Sequence, residues 1–137
     1  VKNSEILEVV ALALKNCQTN EFMLARRGPG NSGAGEWEFP GGKVESGETQ
    51  RQALVREIYE ELMFNLGEAD LTIVADHIHQ YPQRKIQIFL WSSVVTEKPQ
   101  FQLSEHDQVG WFTIDQIKEL NLTEGDKHFI SLLNSIK

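Results

Sequence analysis

A chain of 137 residues suits a single domain with a core of its own, and its net charge of −7 argues against nonspecific binding to nucleic-acid backbones or anionic membranes. One cysteine, Cys17, rules out an internal disulfide framework and fits a reducing cytoplasm. No apolar run approaches the ~18 residues of a membrane span, and no charged-then-apolar leader is present, so a cytoplasmic protein is expected.

Ile6 to Leu14, ILEVVALAL, is too continuously aliphatic for a one-sided strand and predicts a buried central one. Asn16 to Asn20 turns the chain, with Cys17 incidental in the turn. Phe22 to Arg27 reads as a second strand, and its alternation sends Arg26 and Arg27 to opposite faces, so that only one of them faces a given ligand. Gly28 to Gly35 is a glycine-rich loop with no G-K-[ST] after it, which excludes a P-loop and predicts a mobile rim. Trp37 to Pro40 leads into Gly41 and Gly42, where the backbone can approach a metal or phosphate closely. Leu71 to Gln80 and Lys85 to Thr96 form a hairpin around Tyr81 to Arg84. Phe101 to Asp107 is a polar loop and Val109 to Phe112 a short strand. Two amphipathic helices follow, Ile114 to Leu120 and Glu124 to Ile136, the second with Phe129, Ile130, Leu133 and Ile136 on one side.

The most informative stretch is Gly41 to Phe64, GGKVESGETQRQALVREIYEELMF. Thr49 and Gln52 fit a capping box, which predicts a helix starting near Thr49. On that helix Leu54, Ile58 and Leu62 form an apolar stripe, while Glu57, Glu60 and Glu61 fall within roughly a third of a turn of one another. Three like charges on one face call for a compensating cation, and hard oxygen ligands favour Mg²⁺ or Mn²⁺ over zinc.

Gly42, Glu48, Arg56, Glu57, Glu60 and Glu61 together reproduce G-x5-E-x7-R-E-U-x-E-E, with Ile58 as the aliphatic U. Here the sequence resembles the Nudix hydrolases, and WEFPGGK before it is similar to the MutT-type nucleoside triphosphate pyrophosphatases. The resemblance covers most of the chain as one domain, 1–137, and implies an α/β fold: a Nudix-like α/β/α sandwich with a mixed sheet between helices. One position departs from the family pattern, Met63 where a Gly belongs, so the helix is expected to run on to Asn65 or Gly67, which suit a left-handed cap better.

By the same resemblance Glu57, Glu60 and Glu61 are metal ligands, the carbonyl of Gly41 is a further one, and Arg56 orients the carboxylates through an ion pair with Glu48. Glu105, six residues before Trp111, approaches the metals and acts as base. For the organic half of the substrate, Arg26 or Arg27 contacts phosphate or base, Trp37 and Tyr81 stack a base or belong to the core, and Asp126 either reads the base or caps the last helix. The family prototype has Asn at the place of Asp126. An ionised Asp, which only accepts hydrogen bonds, suits guanine.

His77 and His79 alternate on a strand, but with no third His or Cys nearby in sequence they are not read as a metal pair. His106 and His128 are read as able to line the substrate end. The expected activity is Mg²⁺-dependent conversion of a nucleoside triphosphate, a purine one such as dGTP or 8-oxo-dGTP, to monophosphate and pyrophosphate by water attack. Alternatives on the same metal site are RNA 5′-pyrophosphohydrolysis, which a basic strip of Arg26, Arg27, Arg84 and Lys85 keeps open, or nucleotide-sugar hydrolysis. A nucleotide-binding regulator without turnover is a third reading. The expected partner is a small nucleotide rather than long nucleic acid or membrane, and the expected state is monomer or homodimer.

Overall fold

The computed structural model describes residues 5–137; residues 1–4 of the expected domain lie outside the described residues. One seven-stranded mixed sheet runs through the molecule. Its centre is β1 (Ile6–Asn16), which pairs in parallel with β6 (Lys85–Val95) along its whole length, from Ile6 opposite Lys85 to Asn16 opposite Val95. On its other edge β1 carries two antiparallel partners end to end: β4 (Gly41–Lys43) against Val9 to Ala11, and β2 (Glu21–Arg27) against Leu14 to Asn16. The two-residue β3 (Trp37–Glu38) and β7 (His106–Phe112) both pair with β2, and β5 (Thr72–Gln80) is the antiparallel partner of β6 in the expected hairpin.

Alternation along β1 explains its unbroken aliphatic sequence. Val10, Leu12 and Leu14 face one side with Met23 and Trp91, where they meet Leu54, Ile58 and Leu62 of α1 (Gln50–Leu62). Ala11 and Ala13 face the other side with Phe22, Leu24 and Leu90, where Ile117, Leu122, Phe129 and Leu133 cover them. Helices on both faces of a mixed sheet give the α/β sandwich. All three stripe residues of α1 are fully buried. Truncating the middle one, Ile58→Ala, should cost about 2–5 kcal/mol of stability in a denaturant titration; a loss below ~1 kcal/mol would mean that the α1 interface is not packed as described.

The capping box is present: Thr49 Oγ1 accepts from Gln52 N–H at 3.1 Å and Gln52 Oε1 accepts from Thr49 N–H at 2.9 Å. The other end corrects the sequence reading. Rather than running on to Asn65 or Gly67, α1 stops at Leu62, and Met63 itself takes the left-handed conformation, φ 57° and ψ 31°. Tertiary bonds outweigh that local cost, because the following loop comes back to take the helix's free carbonyls: Gln102 N–H donates to Leu62 O at 2.9 Å, Ser104 N–H to Glu61 O at 3.3 Å and Ser104 Oγ to Glu60 O at 3.1 Å. Met63→Gly should relieve the strain and stabilise the protein by about 0.5–1 kcal/mol, read as a higher melting temperature, whereas a lower one would show that the Met side chain contributes more than its backbone costs.

The C-terminal region is also less helical than expected. A second capping box, Thr113 with Gln116, starts α2 (Ile114–Ile117), which ends before Leu120. The expected last helix is a short α3 (Glu124–Lys127) followed by a 3₁₀ turn, Ile130–Ser135. Ser135 Oγ donates to Leu132 O at 2.7 Å, the local competition with helix bonding that Ser and Asn bring to a weak helical sequence. Phe129, Leu133 and Ile136 of the expected stripe are buried, and Ile130 is half-buried. The glycine-rich stretch is a series of turns, closed by Gly35 N–H on Arg27 O at 2.8 Å and Glu36 N–H on Gly33 O at 2.9 Å. β7 starts at His106 rather than Val109, since His106 pairs with Arg27 across a bulge at Asp107 of β7. Among the described residues no helix is long and apolar enough to cross a membrane.

Candidate active site

The polar face of α1 emerges beside β4, and two glycines permit the approach. A Cβ on Gly41 would collide with Val10 O of β1, and one on Gly42 would collide with the Glu57 carboxyl. Only the bare backbone lets the carboxylate lie against the strand.

Arg56 is fully used. Its Nε and Nη2 grip Glu48 at 2.7 and 3.0 Å, Nη1 reaches Glu57 at 3.1 Å and Glu60 at 3.3 Å, and Nη2 also donates to Lys43 O at 3.0 Å. Glu48, which bonds Arg56 and also accepts from Glu45 N–H, is held down to about 2. The guanidinium thus ties the loop before α1 to the carboxylate face.

The three helix carboxylates differ sharply in burial. Glu60 is largely exposed, with 58% of its side-chain surface accessible, while Glu57 retains 17% and Glu61 11%. Burial pushes the Glu61 carboxyl up to about 10, reinforced by a hydrogen bond shared with Glu57 and by the charges of Glu57, Glu38 and Glu105. Its Oε1 is buried with no hydrogen-bond partner.

Two further residues belong to this cluster: Glu38, which was not singled out in the sequence, and His106, which was read there only as able to line the substrate end. Arg27 Nη1 donates to Glu38 Oε1 at 2.9 Å, Glu38 Oε2 lies 2.8 Å from His106 Nε2, and His106 Nδ1 lies 3.7 Å from Glu61 Oε1. The available signal was a Glu between two aromatics in a strand, and a His beside Glu105 at what proves to be a strand start. Alternation there turns His106 inward and leaves Glu105 and Asp107 exposed. The loop carrying Glu105 is fixed by the bonds to the end of α1 and by Asn31 Nδ2, which donates to Glu105 O at 3.2 Å.

Arg27, Asn31, Glu38, Gly41, Glu61, Glu105 and His106 bound a recess of about 100 Å³. Through Arg27, Glu38 and Gly41 it adjoins a cavity of about 420 Å³ walled by Phe39, Tyr81, Ile86, Ile88 and Asp126. The Tyr81 hydroxyl accepts from Gly125 N–H at 3.1 Å. Asp126 Oδ2 accepts from Phe39 N–H at 2.9 Å, tying α3 to the strand before the glycine turn. Thr123 is at the N-cap of α3, and Asp126 lies in its first turn, where an acidic side chain is favoured. Burial pushes its carboxyl up to about 7, so the ionised, acceptor-only group expected from the sequence gives way to one that is partly protonated near neutral pH.

Of the other expected substrate contacts, neither Arg26 nor Trp37 lines this cavity. Arg26 pairs with Asp107 at 2.8 Å, and Trp37 packs edge-on against Phe112 at 5.1 Å. The basic strip is therefore half neutralised, with Arg26 and Arg27 both engaged by carboxylates. The fold does bring a third histidine to His77 and His79: His128 stacks on His77 with ring centroids 3.8 Å apart and planes 12° from parallel. Stacked rings point their nitrogen lone pairs along the ring planes rather than at one point. A further cleft of about 500 Å³ between Thr72, Ser92, Ser93 and Ile136 shares no residue with the carboxylate cluster.

Charge on the carboxylate face is balanced in part by Arg56, and among the described residues no three ligand groups already converge. The partnerless buried oxygen of Glu61, the carboxylates crowded around it and the bare backbone of Gly41 and Gly42 nevertheless fit a hard divalent cation.

The NUDIX domain family matches residues 6–133. The chain belongs to the Nudix family. As a member it is a hydrolase, a pyrophosphohydrolase of nucleotides. This Nudix domain is 34% identical to the CTP pyrophosphohydrolase of Escherichia coli over 89% of this chain and 87% of that protein. It is 38% identical to the 8-oxo-dGTP diphosphatase of Proteus vulgaris over 58% of this chain and 73% of that one. The solution structure of the E. coli ORF135 protein superimposes with a TM-score of 0.81 at 30% identity, covering 99% of this chain and 94% of the other. A MutT protein from Methanosarcina mazei Go1 shares the fold with a TM-score of 0.83 at 23% identity, over 96% and 95% of the two chains.

Proposed function

We propose that this Nudix domain hydrolyses nucleoside triphosphates, with Mg²⁺ or Mn²⁺, to the nucleoside monophosphate and pyrophosphate. The observation that carries the reading is the adjacency of an acidic recess, bounded by Glu38, Glu61 and Glu105, to a half-apolar cavity of a size that suits a small ligand. Glu57, Glu60, Glu61 and the Gly41 carbonyl would hold the cation, with Glu105 beside them. The cation supplies neutralisation of phosphate oxygens and a lowered water pKa. Arg56 fixes the directions of Glu57 and Glu60, Glu105 would take the proton of the attacking water, and Arg27, at the junction of recess and cavity, would meet the phosphate chain. Direct attack by water on phosphorus leaves no covalent enzyme intermediate.

Asp126 is the group proposed to read the base. Its carboxyl near pH 7 can present either form. Ionised, it accepts from the N1–H and 2-amino group of guanine; protonated, it donates to N3 and accepts from the 4-amino group of cytosine. The second form favours cytidine nucleotides, in line with the CTP pyrophosphohydrolase among the relatives. Lowering the pH from 8.5 to 6 should therefore raise kcat/KM for CTP relative to dGTP, and Asp126→Asn should flatten that ratio. A ratio independent of pH in the unaltered enzyme would remove Asp126 from base recognition.

Stability is linked to the same proton. A carboxyl raised from its ordinary 3.8 to about 7 stabilises the fold fully below pH 4 and loses that contribution as pH rises through 7. Asp126→Asn keeps an oxygen for Phe39 N–H but has no charge to bury, so at pH 8 it should melt higher than the unaltered protein. Equal melting temperatures at pH 8 would mean that the ionised group is well solvated.

A further inference from the structure

His106 is 95% enclosed, its side chain retaining 5% of its exposure, yet it makes only one hydrogen bond. That bond is anchored from behind. Arg27 holds Glu38 at 2.9 Å, and Glu38 sits on β3, whose register against β2 places it opposite Ala25. A carboxylate so fixed keeps the imidazole in one orientation with Nε2 toward Glu38. The other nitrogen, Nδ1, then faces Glu61 Oε1 across 3.7 Å. Among the described residues these two atoms are the buried side-chain polar atoms left without a partner, and they point at each other. The gap exceeds a hydrogen bond by less than about 1 Å. Buried polar atoms are rarely left unpaired, and those that are call for an explanation such as a role in the site's chemistry or a bound ion.

We infer that His106 is a positioning residue: gripped by Glu38 through Nε2, it uses Nδ1 to direct the Glu61 carboxylate and so sets the affinity of the α1 face for its divalent cation. The inference rests on the metal site described under the proposed function. Glu61 lies within reach of the imidazole through Oε1, and a ring nitrogen can serve a carboxyl oxygen as its hydrogen-bond partner. Glu105 directly precedes His106, so His106 also joins the loop that carries Glu105 to the helix carboxylates.

Substitution can separate the two ring nitrogens. In His106→Asn the amide lies near the place of Nδ1 and keeps a partner for Glu61; in His106→Gln it reaches the place of Nε2 and serves Glu38 alone. The test is Mn²⁺ binding without substrate, followed by the loss of free-Mn²⁺ electron paramagnetic resonance signal, with a thermal melt of each variant. The inference predicts that His106→Gln weakens Mn²⁺ binding at least about tenfold and that His106→Asn stays within about threefold of the unaltered protein. Should the Gln variant fail to fold, His106→Leu, an apolar replacement for a buried site, is read in the same way and is expected to show the same loss. Mn²⁺ affinity within twofold in the Gln or Leu variant, or equal losses in Gln and Asn, would overturn the positioning role while leaving the metal site intact. Absence of saturable Mn²⁺ binding in the unaltered protein would overturn both the metal site and this role.

Discussion

Glu60→Gln should lower kcat by about a thousandfold at saturating Mg²⁺ while leaving the melting temperature nearly unchanged. The two halves of this expectation rest on different observations. Glu60 is the most exposed of the three helix carboxylates, and its one side-chain bond is a 3.3 Å contact to Arg56, a surface pair worth about 0–1 kcal/mol. Removing it also relieves like-charge repulsion with Glu57, so the fold loses little. Catalysis loses more. A charged ligand to a cation that neutralises phosphate contributes several kcal/mol in the transition state, and each 1.36 kcal/mol is about tenfold in rate. Steady-state kinetics across a Mg²⁺ titration would decide: near-normal kcat at saturation would take Glu60 out of the ligand set.

Glu105→Gln should lower kcat by at least about a hundredfold, the loss typical of a general base. The resemblance expects Glu105 beside the metals, and the fold sets it at the recess with Glu61 and Gly41, on a loop clamped by the last carbonyls of α1 and by Asn31. Because the clamps use backbone atoms and Ser104, the Gln variant retains them and the effect on rate should come without loss of structure. A loss under tenfold would leave catalysis to the helix carboxylates.

The parts of this molecule that were legible in the sequence are those set by local rules. The two-sided burial of β1, the Leu54, Ile58 and Leu62 stripe, and the Thr49 to Gln52 capping box depend on period and on neighbours within a few residues, and the structure has all three. What was not legible depends on partners far along the chain. Met63 accepts a left-handed conformation because Gln102 and Ser104 return to the helix end. Glu38 and His106 enter the site because β3 and β7 both pair with β2, which brings residues 68 positions apart to 2.8 Å. His128 reaches His77 only after α3 packs on the sheet. The shift on Asp126 is a matter of burial, and the sequence around it, TEGDKH, looks like an exposed turn.

The central claim is that water attacks phosphorus in a nucleoside triphosphate, dependent on a divalent cation, to release pyrophosphate. It is tested most directly by incubating the protein with CTP and with dGTP in ¹⁸O-labelled water, with Mg²⁺ or with excess chelator, and analysing the products by ³¹P nuclear magnetic resonance and mass spectrometry. The prediction is monophosphate and pyrophosphate in equal amounts, one ¹⁸O atom in one of the two products per turnover, and no turnover with chelator. Orthophosphate as the primary product, or an undiminished rate in chelator, would contradict it.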